Sequence, residues 1–372
     1  MCRQGRLAER AHTSAPVHLA RERLLNQRLA GNGLASPQAV VEWMGAVQAQ
    51  EFVDAQWALA LRSRQKTRNA IEQALHNGAI LRTHVLRPTW HFVAPADIRW
   101  MLALTGPYIS KRMAPYNRKL ELDRSVFRKS QAIFARALRG GTYLTRQELK
   151  TALQRGGVDP GDVQRLAHLV MQAELDALIC SGPRRGKQFT YALLDERVPA
   201  SPPRSRDASL AELARRYFTS HGPAQVRDFA WWSGLPAGDA RTGVAMVEAE
   251  LERHDSGGCT YWSAPAPRAR RVTTGTWLLP IYDEYLVGYK DRSAAFDRSR
   301  WTRTTWPESL NAAVVIDGVV VGTWRRVIAG NRVEVAVKQF ARLTSPERSG
   351  IERAAAAYGD FMNVEVDLSF ES

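Results

Sequence analysis

Three times along the chain a helical stretch, a short helix, a longer helix and a tight hairpin follow one another in the same order. In the first copy, helices are predicted over 17–29, 37–47, 54–62 and 67–77. They lead into strands over 80–85 and 89–93, joined by a Leu86-Arg87-Pro88 turn. The second copy opens at "GTYLTRQELKTALQRGGVD", where Thr145 and Glu148 have the spacing of a capping box. It continues through a helix over 163–177 to strands at 178–180 and 189–194 around "SGPRRGKQ". The third copy has a helix over 210–220, the segment "GPAQVRDFAWWSGL", a helix over 237–253 and a hairpin turning at "DSGG".

This order is that of a winged helix-turn-helix, and three copies argue for it better than one. A Pro/Ser-rich linker, "PASPPRSRD", separates the second and third copies, and "APAPRARR" closes the third. The expected organisation is a leader over 1–16, winged helices over 17–105, 106–200 and 207–272, and a strand-rich segment over 273–372. In that last segment Asp317-Gly318 is a tight hairpin signal. A helix over 345–362 and a final strand over 363–370 complete a small mixed sheet or partial barrel.

Charge indicates the partner. The 52 basic side chains outnumber the 37 acidic ones, for a net +15, and only eight of the 52 are Lys. The Arg/Lys ratio is weak evidence in an Ala- and Arg-rich chain, but the imbalance itself favours a polyanion, most often nucleic acid. Basic residues stand on or beside each hairpin: Arg82 and Arg87; Arg184, Arg185 and Lys187; Arg268, Arg270 and Arg271. Arg325 and Arg326 add to them in the last segment, and all are candidates for phosphate contacts. Cys2, Cys180 and Cys259 are too few and too scattered for a zinc site or a disulfide framework. No apolar run approaches the ~20 residues of a membrane span, and the basic start lacks a signal core, so the cytoplasm is the expected location.

The most chemically suggestive tripeptide is Gln48-Ala49-Gln50, just after the apolar run of the second predicted helix. In an extended segment, residues two apart share a face, so both carboxamides would aim at one spot. Amides do not titrate in the ordinary range. They can hold a water and offer carbonyl dipoles to a developing cation, which suits a leaving group that is already positive. Thr89, Trp90 and His91 lie on the first hairpin as further candidate contacts, and His84 and His91 could face each other across it. Trp231 and Trp232 read as packing residues. Asp283, Glu284 and Asp291 form the one acidic cluster that could hold a metal for nuclease chemistry, a weaker reading in a strand-rich segment.

"VQAQ", "LRTHVLRPTWHFVAPADIRWML", "LLPIYDEYLVGYKDR" and "DGVVVGTWRR" occur in an order that resembles the winged-helix DNA glycosylases of the AlkZ/YcaQ type, from about residue 17 to 370. One branch of that family carries Gln-aliphatic-Gln and the other Gln-aliphatic-Asp; this chain is similar to the first, with Ala49 as a small middle residue. The resemblance implies an α+β fold in which three tandem winged helix-turn-helix units form a C-shaped concave face, completed by a C-terminal barrel-like β domain. It also implies Gln48 and Gln50 on that face, hydrolysis of the N-glycosidic bond of N7-alkylated purines in double-stranded DNA including bulky adducts and crosslinks, and a monomer.

The chemistry is compatible with the residues. A base alkylated at N7 leaves as a neutral molecule, so no strong acid is needed. With eight Lys and none near the tripeptide, Schiff-base chemistry is not indicated, and a monofunctional enzyme without cofactor or metal is expected. A crosslinked base cannot be rotated fully into a pocket, so an open groove is the sensible site. The alternative is a non-catalytic winged-helix regulator, for which the amide pair would have no use.

Overall fold

The computed structural model describes residues 15–265, 274–297, 311–340 and 342–371. Arg268, Arg270, Arg271, Cys2 and nearly all of the expected leader lie outside them. The first unit comprises α1 (Ala15–Asn26), α2 (Pro37–Met44), β1 (Ala46–Gln48), α3 (Phe52–Arg62), α4 (Arg68–His76), β2 (Leu81–Val85) and β3 (Arg87–Val93). Ser36 Oγ accepts from the Ala39 amide and Pro37 occupies the first turn, so α2 starts where cap and proline favour it. It ends earlier than its apolar pattern predicts. Gly45 takes φ 78°, in the left-handed region where glycine carries no steric cost, and the next three residues become β1. β1 pairs antiparallel with β3, giving the order β1-β3-β2.

A long helix, α5 (Pro95–Lys119), leads to α6 (Arg124–Leu138), β4 (Leu144–Thr145), α7 (Arg146–Arg155), α8 (Val163–Leu175), β5 (Ile179–Ser181), β6 (Thr190–Leu193) and α9 (Leu194–Arg197). The Thr145/Glu148 capping box is present at the start of α7. The division expected at 105/106 falls inside α5, which continues through Pro107 and Pro115. The third unit contains α10 (Arg206–Ser220), α11 (Val226–Ser233), α12 (Ala237–Val247), β7 (Glu252–Ser256) and β8 (Cys259–Ser263), with Gly257 and Gly258 at the hairpin turn.

The last segment holds β9 (Thr276–Leu279), α13 (Glu284–Val287), β10 (Ala313–Ile316), β11 (Val319–Ala329), β12 (Arg332–Gln339), α14 (Ser345–Met362) and β13 (Glu365–Glu371). Its five strands run in the order β13-β12-β11-β10-β9, antiparallel except for β12 with β13. The barrel-like expectation is therefore corrected: among the described residues this is an open mixed sheet with β9 and β13 at its two edges. The reason lies in its packing. Leu278, Val314 and Val321 pack with α3 and α14, while their neighbours Leu279, Val315 and Val320 pack with α1 and α13. Period-2 alternation thus feeds two cores, one on each face, so helices cover the sheet where a barrel would have a lumen. A third core joins the first hairpin to α5 and the third unit through Leu81, Met101, Leu213 and Trp232. These shared cores fix the first hairpin between the C-terminal segment and the third unit.

Candidate active site

The tripeptide lies at that junction. Gln48 is opposite His91 in the β1–β3 ladder, and the Ala49 amide donates to the Trp90 carbonyl at 2.7 Å, extending the pairing one residue further. The outward Gln48 amide donates to Glu284 Oε1 at 2.8 Å. The same carboxylate accepts from Trp232 Nε1 at 3.0 Å and contacts His221 Nε2 at 3.3 Å. Burial raises the Glu284 carboxyl, but the His221 hydrogen bond and the nearby charge of Arg87 outweigh it and hold the group below its ordinary range. Burial pushes His221 down, in keeping with a neutral ring donating from Nε2. Arg82 supports the other end: its Nε donates to the Ala49 carbonyl at 3.0 Å and its Nη2 reaches the Gln50 carbonyl at 3.5 Å.

The two carboxamides are treated differently. Gln48 is buried, and its Oε1 accepts from Arg87 Nη2 at 2.9 Å. A guanidinium has only donors, so this assignment of oxygen and nitrogen is dictated by chemistry. The Gln50 side chain is part-exposed, and no hydrogen bond engages it among the described residues. Glu51 follows directly, exposed, at the start of α3 with no capping bond. Sequence reasoning passed over this carboxylate.

The predicted contact residues separate by burial. Arg82 and Arg87 are buried and turned to internal acceptors; burial pulls Arg82 down to about 10 and lowers Arg87 as well. Arg82 also stacks over Trp90 at 4.3 Å and Phe189 at 4.6 Å. His91 has no exposed surface, which removes it from direct contact with a duplex; its Nδ1 pairs with the Thr89 carbonyl at 2.9 Å. His84 and His91 do not face each other. His91 is opposite Thr83, while His84 is opposite Trp90, with ring centroids 4.3 Å apart. Thr89 and Trp90 are part-exposed.

Arg184 pairs with Glu72 at 2.7 Å, and Arg326 binds Asp54 through both nitrogens at 2.7 Å. Arg185, Lys187 and Arg325 stay exposed, although Arg185 meets Glu148 and Arg325 meets Glu371. Trp232 is buried as expected, whereas Trp231 is 40% exposed beside Arg87.

The acidic cluster has separate commitments. Asp283 takes two hydrogen bonds from Arg62, at 2.7 and 2.8 Å, and Asp291 pairs with Arg227 at 2.6 Å. Glu284 is a site residue to which sequence reasoning gave no role beside the tripeptide: it anchors the Gln48 backbone. The motif "LLPIYDEYLVGYKDR" was its only signal. A second omission is a basic surface at the end of α5 and on α6. Lys111, Arg112, Arg118, Lys119, Arg124 and Arg128 are exposed there, and none is in an ion pair with a described residue. Four of them line an open groove of about 1130 Å³.

The architecture is shared with a solved DNA glycosylase. It matches the structure of the Streptomyces sahachiroi DNA glycosylase AlkZ with a TM-score of 0.77, over 95% of this chain and 99% of that one, at 23% identity. The family model described as "DNA glycosylase AlkZ-like" matches residues 41–361, and the chain belongs to that family. It is accordingly a DNA glycosylase, an enzyme acting on N-glycosyl bonds. A curated relative, the interstrand DNA cross-link repair glycosylase of Streptomyces sahachiroi, is 25% identical over 324 residues, covering 82% of this chain and 86% of that protein.

Proposed function

We propose that this enzyme hydrolyses the N-glycosidic bond of N7-alkylated purines in duplex DNA, bulky adducts and interstrand crosslinks included, with Gln48 and Gln50 as its reacting polar groups. The carrying observation is the bracketed tripeptide. Glu284, Arg82 and Arg87 hold its backbone and its inner amide, while the outer amide of Gln50 has no described partner. Preorganised dipoles of this kind each contribute ~3–4 kcal/mol to a transition state in which charge develops.

Gln50, with both carbonyl lone pairs uncommitted, faces the oxocarbenium-like sugar. Gln48, with one lone pair already used, holds the attacking water. Among the described residues the carboxylate next to the tripeptide is Glu51, exposed to solvent and thus a weak acid for a departing base, which matches a base that leaves uncharged after N7 alkylation. The likeness to an interstrand DNA cross-link repair glycosylase supports crosslinked DNA as a substrate.

In this reading the three helix–hairpin units are winged helices arranged as a C-shaped concave face. The protein acts as a monomer in the cytoplasm, without cofactor, in repair or in self-protection against an alkylating natural product. The exposed cations Arg185, Lys187 and Arg325, with those of α5 and α6, are the phosphate contacts.

The test uses duplexes bearing N7-methylguanine or an N7 crosslink, incubated with the enzyme and then treated with mild base to cut abasic sites. Gln48→Ala and Gln50→Ala should each slow single-turnover excision about tenfold or more while duplex affinity is kept. Excision at the parental rate by both variants, or no enzyme-dependent scission on any cationic adduct, would overturn the proposal.

A further inference from the structure

We infer that Arg87 is a positioning residue that acts through Gln48, fixing which face of that carboxamide meets water and substrate. The inference rests on the catalytic reading of Gln48 and extends it to a residue expected from the sequence to touch phosphate.

The geometry favours an internal role. Arg87 is 9% exposed, and its Nη2 is bonded to a neutral amide. No described carboxylate forms an ion pair with it. The acid that acts most on its charge, Glu284, is already committed to the Gln48 amide, Trp232 and His221. A buried cation without its own counter-ion is costly, and a cation beside an oxocarbenium-like sugar is repulsive by Coulomb's law. Its useful action is therefore on the amide. A side-chain amide can present oxygen or nitrogen with little difference in shape, and a donor-only partner removes that ambiguity. Nε2 and the second lone pair of Oε1 remain available to a water.

The third unit and the C-terminal segment hold Arg87 in place. Its Nη1 reaches the Val287 carbonyl at 3.5 Å, and its guanidinium is 5.9 Å from the Trp231 ring centroid. The preceding residue, Leu86, has φ 63°, and its amide donates to Thr105 Oγ1 at 3.2 Å. Its carbonyl oxygen would be 2.1 Å from a Cβ placed on Gly234, itself at φ 69°. Only glycine permits that approach, so the turn carrying Arg87 is seated against the end of α11.

A double-mutant cycle tests the inference, using the full chain with Arg87→Met and Gln48→Ala, singly and together. Single-turnover excision of N7-methylguanine and duplex Kd are measured. Arg87→Met should slow excision about tenfold or more with Kd little changed, and should add almost nothing in the Gln48→Ala background. Independent, multiplying losses would overturn the inference, as would a weaker Kd with the excision rate at saturation retained, the signature of a phosphate contact.

A melting cycle reads the contact without catalysis. Gln48→Glu places a carboxylate against Arg87, so it should lower Tm less in the parent than beside Arg87→Met; equal shifts in both backgrounds would deny the contact. Arg87→Lys keeps the charge and serves if the Met variant does not fold. If Gln48→Ala alone excises normally, the catalytic reading of the tripeptide fails, a result separate from multiplying losses in the cycle.

Discussion

At the scale of single residues, protonation and hydrogen-bond capacity decide what the site can do. Burial holds His91 down at about 3, with the charge of Arg87 adding to it and Glu284, the Thr89 carbonyl bond and His84 contributing smaller effects of both signs. The folded imidazole is thus neutral down to about pH 3, while the unfolded one takes its proton near the ordinary 6.5. Between those values the unfolded chain binds more protons. Stability from this residue is complete above 6.5 and falls as pH drops towards 3, by about 1.4 kcal/mol per unit. Urea unfolding from pH 7 to 4.5 should show the decline, and His91→Asn should flatten it by close to one proton; an unchanged slope would count against the burial argument. Glu51 permits a second residue-level prediction. If amides suffice for a base that leaves neutral, Glu51→Gln should excise N7-methylguanine within about threefold of the parent. A loss of tenfold or more would make Glu51 the base that activates water.

At the scale of elements, local chemistry was legible and long-range polar pairing was not. The Thr145/Glu148 box, the Asp317-Gly318 turn and the span of α14 follow from cap, turn and periodicity rules, and the structure contains all three. Gly45 could have signalled the end of α2, but the apolar run beyond it favoured more helix. α5 gave no clean stripe, because from Asp97 to Gly106 it is buried on nearly every side and so lacks one polar face. Glu284 and Arg62 act on partners more than 200 positions away, which no periodicity can reveal. Arg62 and Asp283 are each at most 1% exposed on their side chains and link α3 to the start of α13. Removing one partner leaves a buried charge, so Arg62→Met should destabilise the fold by about 3–5 kcal/mol, measured by urea unfolding. Adding Asp283→Leu should recover part of that loss; no recovery would mean that the cap Asp283 gives the Tyr285 amide outweighs the cost of the unpaired charge.

At the scale of the molecule, the hairpins carry only part of the exposed positive charge among the described residues, at Arg185 and Lys187. Arg82 and Arg87 are used internally, and Arg184 and Arg326 already have carboxylate partners. Among the described residues, exposed cations outside any ion pair continue along the end of α5 onto α6, and the charge of Arg112 adds to the burial that lowers the pKa of Arg87. α5 therefore links the buried amide centre to a basic outer surface, which suits a DNA glycosylase that must hold the backbone of its substrate while it acts on one base. Ion pairs at exposed positions such as Arg185–Glu148 contribute only ~0–1 kcal/mol, so those arginines can also exchange partners for phosphate. Two charge-reversal sets separate the contributions: Lys111→Glu with Arg118→Glu and Arg128→Glu, against Arg185→Glu with Lys187→Glu and Arg325→Glu. Duplex Kd is followed from about 50 to 200 mM salt, where each lost phosphate contact lowers the slope by about 0.9. The α5–α6 set should reduce the slope by about two or more and weaken binding most at low salt. If only the second set changes it, the hairpins and the C-terminal sheet carry the duplex.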